Sequence, residues 1–342
     1  MSIKQDFIRG NPRIEIISHH GRPVEIPQAW RPVLGDTDIL VAIPDMHMYH
    51  YDSNLDNFRY GAETMQDFLH HLQGLKQNLA GHGRRMQVAQ LGDMFELRFP
   101  GYNGKPLSVD QIAGSHPTYR SILQALWSLD PILIYGNHDL KHDAHKESRF
   151  SARIGSVYLE HGYGADNWYN FSNPGKRLFG AGMFCFRSFR RIEANICRLA
   201  LATGYLRKDQ FFATGICSGE QTRGNITDYA QYQHRQLKHF RKVYREFEAD
   251  QRPRIIIGAH THRPYLDPHF GNGQSIFVDA GAFTDGRSDF AVVTNEEVAI
   301  CRYRRQPVAT RVAAAREHRR VAPTTATEPV MAAYDARMTS ES

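Results

Sequence analysis

Cysteine is scarce in this chain. Cys185, Cys197, Cys217 and Cys301 are scattered through 342 residues and form no C-x-x-C pair. Such sparse usage argues against a disulfide framework and for free, buried thiols in a reducing compartment. Long apolar runs are missing too. No stretch reaches about 18 apolar residues, so no membrane-spanning helix is expected. The opening "MSIKQDFIRGNPRIEI" lacks the apolar core of a secretory leader, so the expected location is cytoplasmic. No internal repeat is present. Charge of one sign is only slightly in excess: 42 Lys and Arg against 36 Asp and Glu leave +6. That excess is too mild to require a nucleic-acid partner. With 41% hydrophobic and 23% charged residues the usage is ordinary for a globular protein, which excludes a disordered or fibrous chain.

The chain divides by composition. Residues 1–36 carry Pro12, Pro23, Pro27 and Pro32 with little periodicity and are expected to form an extension packed on the body. Residues 306–342 are first Ala- and Arg-rich, then rich in Pro, Thr and Ala, which predicts a basic arm followed by a disordered tail. Between them, from 37 to 305, short β-branched runs recur. They are Ile39–Ile43, Met86–Leu91, Ile132–Tyr135, Val157–Glu160, Ile255–Gly258, Ser275–Val278 and Phe290–Thr294. Each is nearly unbroken in apolarity, as expected of strands buried on both faces. Helical spacing separates several of them. Met65, Phe68, Leu69, Leu72 and Leu75 mark one helix over Glu63–Leu79, and Ile122, Leu123 and Leu126 mark another over Tyr119–Leu129. Strand–helix alternation of this kind predicts an α/β protein with parallel pairing at its centre.

Each of five apolar runs ends in a polar and specific signature. "LVAIP" is followed by Asp45-Met46-His47, and "MQVAQL" by Gly92-Asp93-Met94-Phe95-Glu96. "PILIY" is followed by Gly136-Asn137-His138-Asp139, "VYLE" by His161-Gly162, and "RIIIG" by Ala259-His260-Thr261-His262. The carboxyl ends of strands form the ligand crevice in open α/β sheets. Five such ends would bring Asp45, His47, Asp93, Asn137, His161, His260 and His262 to one place. Oxygen and imidazole donors without a thiolate suit Mn, Fe, Zn or Ni. Seven ligands exceed the three or four of a single zinc site and divide naturally between two ions if one carboxylate bridges.

The ordered set D-x-H, G-D-x-x-E, G-N-H-D, H-G and G-x-H-T-H resembles the calcineurin-like metallophosphoesterase superfamily over about residues 38–305. "LGDMFELR" and "AHTHRP" are closer to its UDP-diacylglucosamine hydrolase branch than to protein phosphatases, although that branch often has Arg in place of His138. The resemblance implies a two-sheet β-sandwich flanked by helices. It implies that Asp45, His47 and His262 hold one metal ion, that Asn137, His161 and His260 hold the second, and that Asp93 bridges them. His138 would stand just outside the metals and interact with a phosphate or leaving-group oxygen, with Asp139 orienting it. Glu96 stands where the family usually has Asp.

These residue types fit a demanding reaction. Phosphate esters hydrolyse so slowly that enzymes supply up to roughly 10²¹-fold acceleration. No side-chain nucleophile is evident. Two divalent ions, manganese first among Mn, Fe, Zn and Ni, would activate a hydroxide and neutralise the transferring phosphoryl group. The expected reaction is hydrolysis of a phosphomonoester, phosphodiester or pyrophosphate. The rivals are a nuclease of the same superfamily, which would show strongly salt-dependent binding, and an inactive scaffold of that fold acting as a binding module. Arg98, His142 and Arg263 lie just after site motifs and are candidate substrate contacts, as are His50, Asp52 and His145.

The stretch from His161 to His260 is too long for a simple connection and should hold an insertion, at about 178–250. It contains two basic amphipathic patterns. One carries Phe189, Ile192, Ile196 and Leu199 beside Arg187, Arg190, Arg191 and Arg198; the other carries Leu237, Phe240, Tyr244 and Phe247. The expectations are a helical pair packed on the sandwich, or a cap over the metal site that selects a large anionic or acylated substrate. Basic helices of this kind also allow peripheral contact with a membrane face.

Overall fold

A computed structural model describes residues 2–8, 11–53, 56–97, 107–139, 151–165, 226–284 and 286–304. Elements run in chain order: β1 (Ile14–Ile16), β2 (Val24–Glu25), β3 (Ile39–Ile43), α1 (Ala62–Gly81), β4 (Met86–Gln90), α2 (Val109–Gly114), α3 (Pro117–Ser128), β5 (Ile132–Leu133), β6 (Ser151–Ile154), β7 (Val157–Glu160), α4 (Ile226–Glu246), β8 (Ile255–Gly258), β9 (Tyr265–Asp267), β10 (Ile276–Asp279), β11 (Asp289–Thr294) and β12 (Glu297–Tyr303).

The strands form two sheets. The first runs β1-β12-β11-β3-β4-β5, with β2 also on β12; the second runs β6-β7-β8-β10-β9. Each has three parallel strands: β7–β8–β10 form the centre of the second sheet between antiparallel β6 and β9, and β3–β4–β5 form one end of the first, with its antiparallel strands all on the β3 side. The mixed α/β class is therefore as the sequence predicts, and the parallel centre is found in the second sheet, whereas the parallel strands of the first lie at its end. Parallel pairing twice over is what aligns several carboxyl ends in each sheet.

Side-chain alternation explains the layers. In β3, Ile39, Val41 and Ile43 pack among the side chains of α1 and α3, while Leu40 and Ala42 pack against the second sheet. In β8, Ile255 and Ile257 meet the first sheet and Ile256 faces away from it. An unbroken apolar run is therefore required at both places, since successive side chains enter different cores. Each fully buried Ile or Leu is worth roughly 1.5–3 kcal/mol over exposure, so these centres outweigh the short edge strands. The order is helices, sheet, sheet, helix.

Helix ends have local causes. Ser108 caps α2 in a reciprocal pair with Gln111. His116 caps α3 through Nδ1, and Pro117 occupies its first turn.

Two expectations take a more definite form here. Residues 1–36 are not merely laid on the body: β1 and β2 pair with β12 and cover its open edge, where unpaired backbone groups would otherwise remain. The second amphipathic pattern of the expected insertion is α4, and it is a layer of the fold. Phe240 and Tyr244 pack on Ile256 and Phe277 of the second sheet's outer side and on Phe270, which lies between β9 and β10. The first pattern, the 306–342 tail, Cys185, Cys197 and Cys217 lie outside the described residues. Cys301 is a buried free thiol. Among the described residues no helix is long and apolar enough to cross a membrane.

Candidate metal centre

Five strand ends meet at one edge of the two sheets. Asp45 and His47 follow β3, Asp93 and Glu96 follow β4, and Asn137 to Asp139 follow β5. From the second sheet, His161 follows β7 and His260 and His262 follow β8. All seven expected ligands are brought together. Asp45, His47, Asp93, Asn137 and His161 are buried.

The backbone there is unusual. His47, Asp93, His260 and His262 have φ of 52°, 50°, 77° and 57°. Residues with a side chain rarely adopt this left-handed region, at a cost of order 1–3 kcal/mol each, and it persists only where surroundings enforce it. The β4 and β5 ends also press together. A Cβ on Gly92 would lie 2.5 Å from Gly136 N, and one on Gly136 would lie 2.0 Å from Asp93 Oδ1. Only glycine fits either position.

The ligand atoms form two trios. One is Asp45, His47 and His262; the other is Asp93, His161 and His260. In the first, His262 Nε2 lies 3.0 Å from both Asp45 Oδ2 and His47 Nε2. In the second, His161 Nε2 lies 3.2 Å from Asp93 Oδ2, from His260 Nδ1 and from Asn137 Oδ1. His47 Nε2 is 3.7 Å from Asp93 Oδ2, so Asp93 stands between the trios.

These contacts suit a cation. His161 Nδ1 lies 2.9 Å from the Leu91 carbonyl, which can only accept, so Nδ1 carries the hydrogen. In the neutral ring the Nε2 lone pair then faces a carboxylate oxygen, an amide oxygen and a second imidazole. Asp45 Oδ1 is buried without a hydrogen-bond donor. Charge says the same. Burial opposes protonation of His161, yet Asp93 and Asp45 outweigh it and lift its pKa to about 10. Burial likewise opposes protonation of His47, but Glu96 and Asp93 raise it to about 9. Burial should raise Asp93, but His161 and His138 hold it well below the usual carboxylate range. The cluster attracts positive charge, and a divalent ion fits it in kind as well as in position.

A third trio, His47, Glu96 and His138, shares His47 with the first. The motif reading leaves Glu96 without a role. Its Oε2 lies 2.5 Å from His138 Nδ1 and 3.4 Å from His47 Nδ1. Burial is outweighed by His138 and His47, and the Glu96 carboxyl falls to about 2. Orientation of His138, expected of Asp139, therefore belongs to Glu96. Asp139 instead accepts the backbone N–H groups of Met94, Phe95 and Gly136. It braces the β4 end against the β5 end, and burial together with the Asp93 charge pushes it up to about 7. The sequence signal for Glu96 is its place three residues after Asp93.

Among candidate substrate contacts, Arg263 is exposed beside His262. Arg98 and His142 lie outside the described residues. Arg287, which belongs to none of the motifs, donates from Nη1 to the His262 carbonyl. No protein-family model and no curated protein matches this chain.

Proposed function

We propose that the chain is a metal-dependent phosphoesterase that holds two divalent ions at the strand-end cluster and hydrolyses a phosphomonoester, phosphodiester or pyrophosphate. The observation that carries this reading is the division of the ligands into the trios Asp45/His47/His262 and Asp93/His161/His260. The metallophosphoesterase resemblance assigns the first trio to one ion and His161 and His260, with Asn137, to the other, Asp93 bridging the two. The helix–sheet–sheet–helix layering supports it, since the resemblance implies a flanked sandwich.

Asp45, His47 and His262 would hold one ion, and Asn137, His161 and His260 the other, with Asp93 shared. When bound, two such ions supply Lewis acidity to the phosphoryl oxygens and can lower a water pKa from 15.7 to about 7. The protein's part is geometry and proton handling. The Leu91 carbonyl fixes the tautomer of His161, and Glu96 turns His47 Nδ1 away from the cluster, so that both Nε2 atoms are directed inward. The His138 side chain is 17% exposed, whereas that of Glu96 is 1% exposed. Glu96 is the counter-ion for a protonated His138, which would pass the proton on Nε2 to the leaving-group oxygen. Asp93 Oδ2, 3.9 Å from that nitrogen, keeps it at the edge of the cluster.

The test is Mn²⁺-supplemented hydrolysis of p-nitrophenyl phosphate, bis(p-nitrophenyl) phosphate and a nucleoside-diphosphate ester, wild type beside Asp93→Asn. The expected result is turnover of at least one substrate by wild type and none by the variant. A folded wild type that binds no Mn²⁺, or one that binds it and cleaves none of the three, overturns the reading.

A further inference from the structure

His260 and His262 belong to different trios but are separated by one residue, Thr261. Both have left-handed backbones, so the turn that presents them depends on outside support. That support converges on Thr261. Its N–H donates to the Ala259 carbonyl at 3.0 Å, and its Oγ1 accepts from Arg263 N at 3.2 Å. The Oγ1 hydrogen goes to Asp279 Oδ2 at 2.5 Å, closer than the Arg263 carbonyl at 3.3 Å.

Asp279 ends β10, the strand beside β8. It is fully buried, and its Oδ1 accepts from Gly281 N at 2.9 Å. The third member comes from α4. Gln236 is buried and donates from Nε2 to the Ala259 carbonyl at 2.5 Å. The start of the turn is thereby tied to α4 and its middle to β10. None of the three side chains belongs to either trio.

We propose that Thr261, anchored by Asp279 and supported from α4 by Gln236, is a positioning residue that sets the metal affinity of His260 and His262 together. The inference rests on reading those two histidines as ligands. One hydroxyl controls one ligand in each trio, so its loss weakens both. Groups behind the ligands commonly change metal affinity by about 10- to 100-fold.

The experiment is Mn²⁺ titration of the full chain by calorimetry, with free Mn²⁺ followed by electron paramagnetic resonance. The chains are wild type, Thr261→Val, Thr261→Ser and Asp279→Asn. Valine keeps the shape and loses the hydroxyl; serine keeps the hydroxyl. The expected result is two ions bound by wild type, binding about 10- to 100-fold weaker in Thr261→Val with the circular dichroism spectrum unchanged, and near-wild-type binding in Thr261→Ser. Equal affinity of the valine and wild-type chains overturns the inference, and so does equal weakening by serine and valine. If the valine chain does not fold, Asp279→Asn decides the matter: weakened binding supports the inference and unchanged binding overturns it. A wild type that binds no Mn²⁺ overturns the ligand assignment itself, a result separate from any variant's.

Discussion

Glu96 and His138 are the pair whose chemistry is easiest to isolate. They lie 2.5 Å apart, and Glu96 also reaches His47 at 3.4 Å. Positioned proton transfer contributes about 10²- to 10⁴-fold. His138→Ala is expected to lower kcat on the preferred ester by that amount while Mn²⁺ stoichiometry stays at the wild-type value. Glu96→Gln keeps the shape and loses the charge, so kcat should fall at least about 10-fold and the alkaline limb of its pH profile should move to lower pH. Steady-state kinetics across pH, with parallel metal titration, checks both. At Gly136 the issue is space. A methyl group would lie 2.0 Å from Asp93 Oδ1 and 2.2 Å from Asp93 N, and the latter is backbone. Gly136→Ala is expected to cost at least about 3 kcal/mol in urea unfolding and to lose Mn²⁺ binding with it. Of these residues, Asp93 and His138 are legible from short motifs after apolar runs. Glu96's partner is not, because facing side chains on separate loops leave no spacing to read.

At the scale of elements, α4 decides how the long connection between β7 and β8 is understood. Its apolar side is used up on Ile256, Phe270 and Phe277. Phe240 is fully buried there, and truncation of such a phenylalanine typically costs about 3–5 kcal/mol. Phe240→Ala should lower the urea midpoint accordingly. It should also weaken Mn²⁺ binding, since Gln236 lies one turn earlier on the same helix and holds Ala259. A deletion of 178–250 would strip this layer from the second sheet, so a change in substrate preference after it would say nothing about a cap. The central strands are legible because they are apolar or nearly so: Ile39–Ile43, Val157–Glu160 and Ile255–Gly258 have the expected limits. β1, β6 and β9 are not. They are three or four residues long, hold polar residues and lie in the outer parts of their sheets. Strands of that kind owe their conformation to the neighbour they pair with.

For the whole molecule, the charge of the site couples metal to stability. His47 and His161 are raised to about 9 and 10 in the folded chain, from an ordinary 6.5. A raised imidazole contributes stability that is fully present below pH 6.5 and is lost as pH rises through the folded value. The buried carboxyls of Asp56, Asp139 and Asp279, pushed up to about 7, act with the same sign but at lower pH, between about 4 and 7. The lower part of the window from about pH 7 to 10 therefore belongs to the histidines, and above about pH 9 the buried Cys301 thiol, raised by burial, adds a loss of the same sign. In EDTA the thermal midpoint is expected to fall across that window. Saturating Mn²⁺ should raise it most at the alkaline end, because the ion takes the place of protons that the cluster no longer holds. A flat midpoint in EDTA would count against the charge balance described here.

The sequence by itself determined which atoms are present and where along the chain they stand: acids and imidazoles at the tips of buried strands, glycines beside them, and an α/β alternation. These are local facts, set by periods of two and 3.6 residues and by the residue types at the end of an apolar run. Only the tertiary structure decided who meets whom. Asp45 meets His262, Asp93 meets His161, and Thr261 meets Asp279, each across a sheet-to-sheet or strand-to-strand contact. It also gave Glu96 rather than Asp139 to His138 and made α4 a wall of the fold. The physical reason is the same in each case. Such contacts join residues far apart in the chain, and their geometry comes from how two sheets pack, which no local spacing records.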